Sequence, residues 1–178
     1  MRSPDVTVDS SRSYQFAGIY SFGRGIFVGA SKQGLAISYP RLTRLRAGDF
    51  VYPKLMAWEG AFGVVPQEAD GCVVSTEFPV FTVRTDRVLP EVIDTYFRTP
   101  AVWTLLAGGA TGTNVRRRRL HPDTLLAWRM PLPDMCDQVR LAHVTRSLSK
   151  LQTIRAASDG EWDALVPSIL DQAFKGEL

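Results

Sequence analysis

Histidine, cysteine and lysine are all scarce in this sequence, and each shortage removes a class of chemistry. The two histidines, His121 and His143, and the two cysteines, Cys72 and Cys136, offer no Cys/His cluster and no HxxxH pair with metal-ligand spacing. The thiols make no CxxC pair and are read as reduced, which fits a cytoplasmic setting. The four lysines are Lys32, Lys54, Lys150 and Lys175. Two places before them stand Ala30, Tyr52, Leu148 and Ala173. None is acidic, so the acidic-x-Lys arrangement that holds a metal beside a water in restriction-type nucleases is missing. Gly23-Arg24-Gly25 followed by Gly29 falls one residue off the G-x-G-x-x-G spacing, and no G-x-x-x-x-G-K-[ST] loop or methyl-donor motif occurs. No apolar run approaches the roughly 18 residues of a membrane helix. The N-terminal stretch has no apolar core of the kind a signal peptide needs. The expectation is a chain with no catalytic site, metal or cofactor of its own.

What is present is arginine. The 178 residues hold 21 Lys plus Arg against 18 Asp plus Glu, a net charge of +3, and all but four of the cations are arginines. A guanidinium is a planar fork of donors that matches phosphate oxygens and guanine edges. The charge is also unevenly spread. Residues 1–58 carry a balance of +5, 59–98 of −4, 99–133 of +4 and 134–178 of −2. Two basic segments separated by an acidic one can fold into a single positive face, or into a mixed solvated surface.

The pattern of apolar runs predicts an α+β chain. Residues 1–13 are polar, lack periodicity and read as a loose leader. From Tyr14 to Val83 glycines and prolines punctuate short apolar runs, as in a mainly β domain. Strands are expected at Phe50–Tyr52, Ala61–Val65, Cys72–Ser75 and Pro79–Val83. The alternation of Tyr14, Phe16, Tyr20 and Phe22 reads as a buried strand face. Helices are expected at Leu89–Arg98, with Pro90 in the first turn, and at Ala101–Ala107. Pro122–Leu126 reads as a helical turn and Trp128–Met130 as a last strand. This gives a domain over 1–133 and a helical region over 134–178. In the tail, Leu141, Val144, Leu148 and Leu151 are spaced three, four and three residues apart, like the a and d positions of a coiled coil. A capping box at Ser158–Glu161 precedes a second apolar face of Trp162, Leu165 and Ile169, interrupted by Pro167. These stripes must pack either on the domain or on a partner.

The strongest local signal is the run Arg116-Arg117-Arg118-Arg119 behind a Gly/Thr loop that includes Thr113 and Asn114. That density of donors suits phosphate contact; as bland a reading is a solvated surface run. Arg24, Lys32, Arg44 and Lys54 are further candidates for the same face. His121, before Pro122, reads as a residue opening a helix.

Several segments taken together resemble a known family. Leu45–Tyr52, Ala57–Val65 and Asp70–Phe81 resemble the target recognition domain of type I restriction–modification specificity subunits. Gly112–Leu120 followed by Met130-Pro131-Leu132-Pro133 resembles the end of that domain. Gln138 opens what resembles the family's spacer helix, and Ala164–Leu178 resembles the usual C-terminal end. The resemblance implies a non-catalytic subunit that reads double-stranded DNA and directs a methylation subunit, which brings S-adenosylmethionine, and a restriction (motor) subunit. A family member usually holds two recognition domains and two spacers; this chain has one of each. It is therefore expected to self-associate or pair with a second half-subunit. The readings from other classes are a small DNA-acting enzyme with an unrecognised cofactor site and a protein-interaction adaptor that binds no DNA.

Overall fold

The computed structural model describes residues 1–108, 119–151 and 154–155. By its internal contacts the chain divides into a compact unit, Met1–Val139, and a second unit, Arg140–Leu178. The first is mixed α and β, as its apolar patterning predicts.

Two strands are long, β2 (Ser13–Tyr20) and β3 (Gly25–Gln33), and they form an antiparallel hairpin. The others are short: β1 (Val6–Thr7), β4 (Arg41–Arg44), β5 (Phe50–Val51), β6 (Gly63–Val64), β7 (Val73–Val74) and β8 (Val80–Phe81). One sheet has the order β1-β4-β7-β2-β3, the other β6-β5-β8. All pairings are antiparallel except β2 with β7, which run parallel through Phe16 and Val73. Prolines and left-handed glycines cut the runs short. Gly48, Gly60 and Gly71 all have positive φ, a conformation that glycine adopts without steric cost.

Three helices follow, α1 (Pro90–Phe97), α2 (Pro100–Gly108) and α3 (Pro122–Leu126). Each opens on proline, whose missing N–H costs nothing in a first turn. Phe97, Val102, Leu106 and Leu125 from these helices meet Phe50, Tyr52 and Phe62 in an aromatic-rich core. Phe50 and Phe97 lie 4.8 Å apart between ring centroids, and Phe62 and Phe97 5.3 Å. A second cluster, Val51, Val65, Val74 and Val80 among its members, draws residues from both sheets. Cys72 belongs to it; both cysteines are free thiols, and burial raises the Cys72 pKa.

The structure corrects three expectations. Residues 1–13 are not a loose leader: β1 pairs with β4, the Arg2 N–H donates to the Val80 carbonyl at 2.7 Å, and the Asp9 N–H donates to the buried Tyr14 hydroxyl at 2.8 Å. Trp128–Met130 forms no ladder; it is held instead by side chains, with Trp128 Nε1 donating to the Tyr96 hydroxyl at 3.0 Å. The aromatic alternation is not one buried face. The β2–β3 register shifts between Gln15 and Ala17, and the buried position moves from Tyr14 to Ala17. A bulge of this kind breaks the two-residue period, and Tyr20 and Phe22 end up exposed.

A further helix, α4 (135–151), opens within the first unit. Asp134 caps it, its carboxylate accepting the Asp137 N–H at 2.9 Å. The compact unit runs past Pro133 to Val139 because Gln138 fastens the first turn of α4 to the start of α1. Gln138 Oε1 accepts the Leu89 N–H at 2.9 Å, while its Nε2 donates to the carbonyls of Arg87 at 3.2 Å and Pro133 at 3.0 Å.

Candidate nucleic-acid interface

Two of the basic residues singled out from sequence come together. Lys54 follows the buried pair Tyr52-Pro53 at the end of β5. The Leu120 N–H donates to the Lys54 carbonyl at 2.9 Å, and the Tyr52 hydroxyl donates to the Leu120 carbonyl at 3.3 Å. Burial pushes the Tyr52 phenol well above its ordinary range, with the charge of Asp123 adding to the effect, so it serves as a donor and not as a base. These bonds draw Arg119 beside Lys54. Glu77 sits between the two, with one carboxylate oxygen 3.9 Å from Lys54 Nζ and the other 2.9 Å from Arg119 Nη1. Lys54 Nζ also donates to the Thr76 carbonyl at 3.1 Å. The partners are partly exposed, so these ion pairs are worth little.

A cavity of about 310 Å³ opens at this point, and Arg2, Lys54, Arg119 and His121 bring nitrogen donors to its wall. His121 is the N-cap residue of α3, as its place before Pro122 suggests. Arg2 has no signature of a site residue in the sequence, because it stands in a polar, aperiodic start of the chain. It is also heavily committed: its guanidinium contacts Asp49 at 2.6 Å, the Arg44 carbonyl at 2.7 Å and Asp5 at 3.0 Å.

The other candidates lie elsewhere. Arg24 and Lys32 are on the β2–β3 hairpin, each held over an aromatic ring. The Arg24 guanidinium is 4.7 Å from the Tyr20 centroid, and Tyr20 stacks on Phe27 at 4.2 Å; Lys32 Nζ is 5.3 Å from the Phe16 centroid. Stacking of this kind attracts a cation to the ring face, and Arg24 Nε also donates to the Ser21 carbonyl at 3.2 Å. Arg44, on β4, donates to the Gly71 carbonyl at 2.9 Å, and its N–H is held by Asp5. From Ser10 to Gly48 the sequence contains Arg12, Arg24, Lys32, Arg41, Arg44 and Arg46 and no acidic residue at all. Thr113, Asn114, Arg116, Arg117 and Arg118 lie outside the described residues, as do Trp162, Leu165 and Ile169. On α4, Leu141 is half-buried, whereas Val144, Leu148 and Leu151 each expose more than half of their surface. Among the described residues no group of three or more His, Cys, Asp or Glu is placed to hold a metal, and no helix is long and apolar enough to cross a membrane.

No protein-family model matches the chain, and no curated protein is similar to it. Solved structures are. The HsdS subunit from Thermoanaerobacter tengcongensis aligns with a TM-score of 0.63 at 22% identity, over 86% of this chain and 40% of that one. The fold is that of part of an HsdS subunit. A chain from a structural study of complex assembly and conformational transition in the type I R-M system aligns with a TM-score of 0.61 at 19% identity, over 87% of this chain and 40% of its own. This chain thus spans about two-fifths of the length of each of these two chains.

Proposed function

We propose that this chain is a DNA-reading specificity subunit of a type I restriction–modification system. In that role it recognises one half of a split site and directs a methylation subunit, which binds S-adenosylmethionine, and a restriction subunit. The observation that carries the reading is the HsdS fold over 86% of the chain, matched to only 40% of the HsdS chain. The Lys54–Arg119 cleft and the acid-free segment with its hairpin supply phosphate-binding cations. Catalysis belongs to the partners, and the setting is cytoplasmic. The direct test is co-expression with the methylation subunit of the same system, followed by mapping of methylated positions. A bipartite site that appears only when this chain is present supports the reading; a methylation pattern that does not depend on this chain refutes it.

Phosphate binding has a measurable signature. Lys54→Ala combined with Arg119→Ala is expected to weaken binding to all duplexes alike and to flatten the salt dependence by about two units, one for each phosphate that is no longer neutralised. A double variant with unchanged affinity and slope would remove this cleft from the interface.

The exposed stripe on α4 is proposed as the surface that meets a second copy or a half-subunit. Burying such a side chain is worth roughly 1.5–3 kcal/mol. Leu148→Asp is therefore expected to abolish self-association, or weaken it at least a hundredfold, with the Met1–Val139 unit still folded. Two copies about a two-fold axis would read an inverted, interrupted site. Sedimentation that shows a monomer before the change as well as after it would rule out pairing of two copies through this stripe.

A further inference from the structure

The tip of the β2–β3 hairpin presents an aromatic side chain in a way that its own packing does not explain. Phe22 is the one non-glycine residue with positive φ among those described, at 63°, and it is 66% exposed. An L side chain rarely adopts this conformation, and a bulky one hardly ever does without a compensating constraint. Here the constraint is plain. The Phe22 N–H donates to the Glu59 carbonyl at 2.7 Å and the Gly23 N–H to the Gly60 carbonyl at 3.1 Å. The Ser21 hydroxyl donates to the Glu59 carboxylate at 2.8 Å, and Arg98 Nε donates to the Gly23 carbonyl. A Cβ on Gly23 would stand 2.8 Å from the Arg98 carbonyl oxygen, so the turn is seated tightly on the body of the domain. The backbone is held in a strained shape and the phenyl ring is held out in solvent.

Its surroundings say what the ring is fitted for. The adjacent Arg24 folds back over Tyr20, its Nε donating to the Ser21 carbonyl at 3.2 Å, and the hairpin belongs to the stretch from Ser10 to Gly48 that has six cations and no acid. At the turn itself stand Arg24 and Arg98, with the Glu59 carboxylate accepting from Ser21 and Asp94 pairing with Arg98, so the cation next to the ring is Arg24. A rigid apolar ring beside a cation suits a polyanion with apolar faces inside it. We propose that Phe22 is a base-contacting residue: the cations of the hairpin track phosphates while the ring enters a groove and meets an apolar base surface, a thymine methyl or the face of a partly unstacked step. This rests on the proposed DNA-reading function and adds to it a residue that sets sequence preference.

The test begins with the wild-type full chain selecting duplexes from a randomised library. Phe22→Gly should then bind the selected duplex about tenfold more weakly, while its affinity for unselected duplex and its salt slope stay as in the wild type. Because glycine takes the left-handed conformation freely, the variant should melt no lower than the wild type. Phe22→Ser should behave like the glycine variant in binding, and Phe22→Tyr should retain the selected affinity. Full affinity of Phe22→Gly for the selected duplex would overturn the base contact and leave the DNA-reading function standing. Equal loss on selected and unselected DNA would also overturn it, since the ring would then serve general binding. A wild-type chain that binds no duplex would overturn the function and the contact together.

Discussion

Arg2→Ala is expected to destabilise the Met1–Val139 unit by about 2–4 kcal/mol, although the residue is next to the chain terminus and terminal side chains are usually dispensable. Arg2 reaches Asp49, whose side chain is almost wholly buried, at 2.6 Å. Without the guanidinium, Asp49 still accepts the Arg46 N–H at 3.2 Å. A buried carboxylate stripped of its cation keeps its desolvation cost and loses most of the compensation. The same guanidinium caps the Arg44 carbonyl and holds Asp5, so its loss also loosens β1 against β4. Asp5→Ala removes an exposed ion pair and the acceptor of the Arg44 N–H, and should cost less, about 1–2 kcal/mol. Urea midpoints for the two variants and for Arg2→Ala with Asp49→Ala decide the matter. If the double variant is no more damaged than Arg2→Ala alone, the pair acts as a unit; Arg2→Ala within about 0.5 kcal/mol of wild type would show that the ion pair contributes nothing.

That ion pair marks the limit of what a sequence can disclose. Val6 and Thr7 are too few to show a strand period, and Arg2 and Asp49 are joined only by the fold, so nothing in residues 1–13 distinguishes them from a loose leader. The helices are legible: Pro90, Pro100 and Pro122 each mark a first turn, and the apolar spacing of α1 matches the face carrying Val92 and Phe97. The flanking glycines and prolines place the short strands to within a residue or two. The bulge between Gln15 and Ala17 is not legible, since a register shift depends on the partner strand and leaves no mark on composition.

The site is legible in parts. Lys54 and Arg119 are each recognisable as cations suited to phosphate, but nothing in the sequence joins them. Their meeting depends on the Lys54–Leu120 backbone bond and the Tyr52 hydroxyl, both tertiary. Glu77, the carboxylate between them, stands out only as part of a stretch of family resemblance. Phe22 is even in its spacing from Tyr14 and so falls on the expected buried face. The turn at Ser21–Arg24 takes it off the strand, and only coordinates show its left-handed backbone.

Gln138 offers the sharpest test of how the domain holds the start of α4. It is 1% exposed, and its amide satisfies three backbone groups at once: the N–H of Leu89 and the carbonyls of Arg87 and Pro133. Gln138→Leu keeps the volume and abandons all three. Each buried group left unpaired costs about 1–3 kcal/mol, and partial rehydration lowers the sum, so a loss of about 2–4 kcal/mol is expected. Gln138→Glu is the more telling change. An ionised carboxylate can still accept the Leu89 N–H, but it has no proton to give to Arg87 or Pro133 and faces two carbonyl oxygens in a buried place. The folded state therefore favours the protonated form, which restores one donor. Its carboxyl pKa should be higher folded than unfolded, so this variant is closest to wild type below about pH 4, the ordinary range of an unfolded carboxyl, and loses stability as the pH rises through the folded value. Denaturant midpoints taken from about pH 4 to 8 for wild type, Leu and Glu variants give the result. A deficit for Glu that grows with pH, against a flat deficit for Leu, supports the clamp. Parallel curves for the two variants would mean that the carbonyls find water and that the amide serves only to fill space.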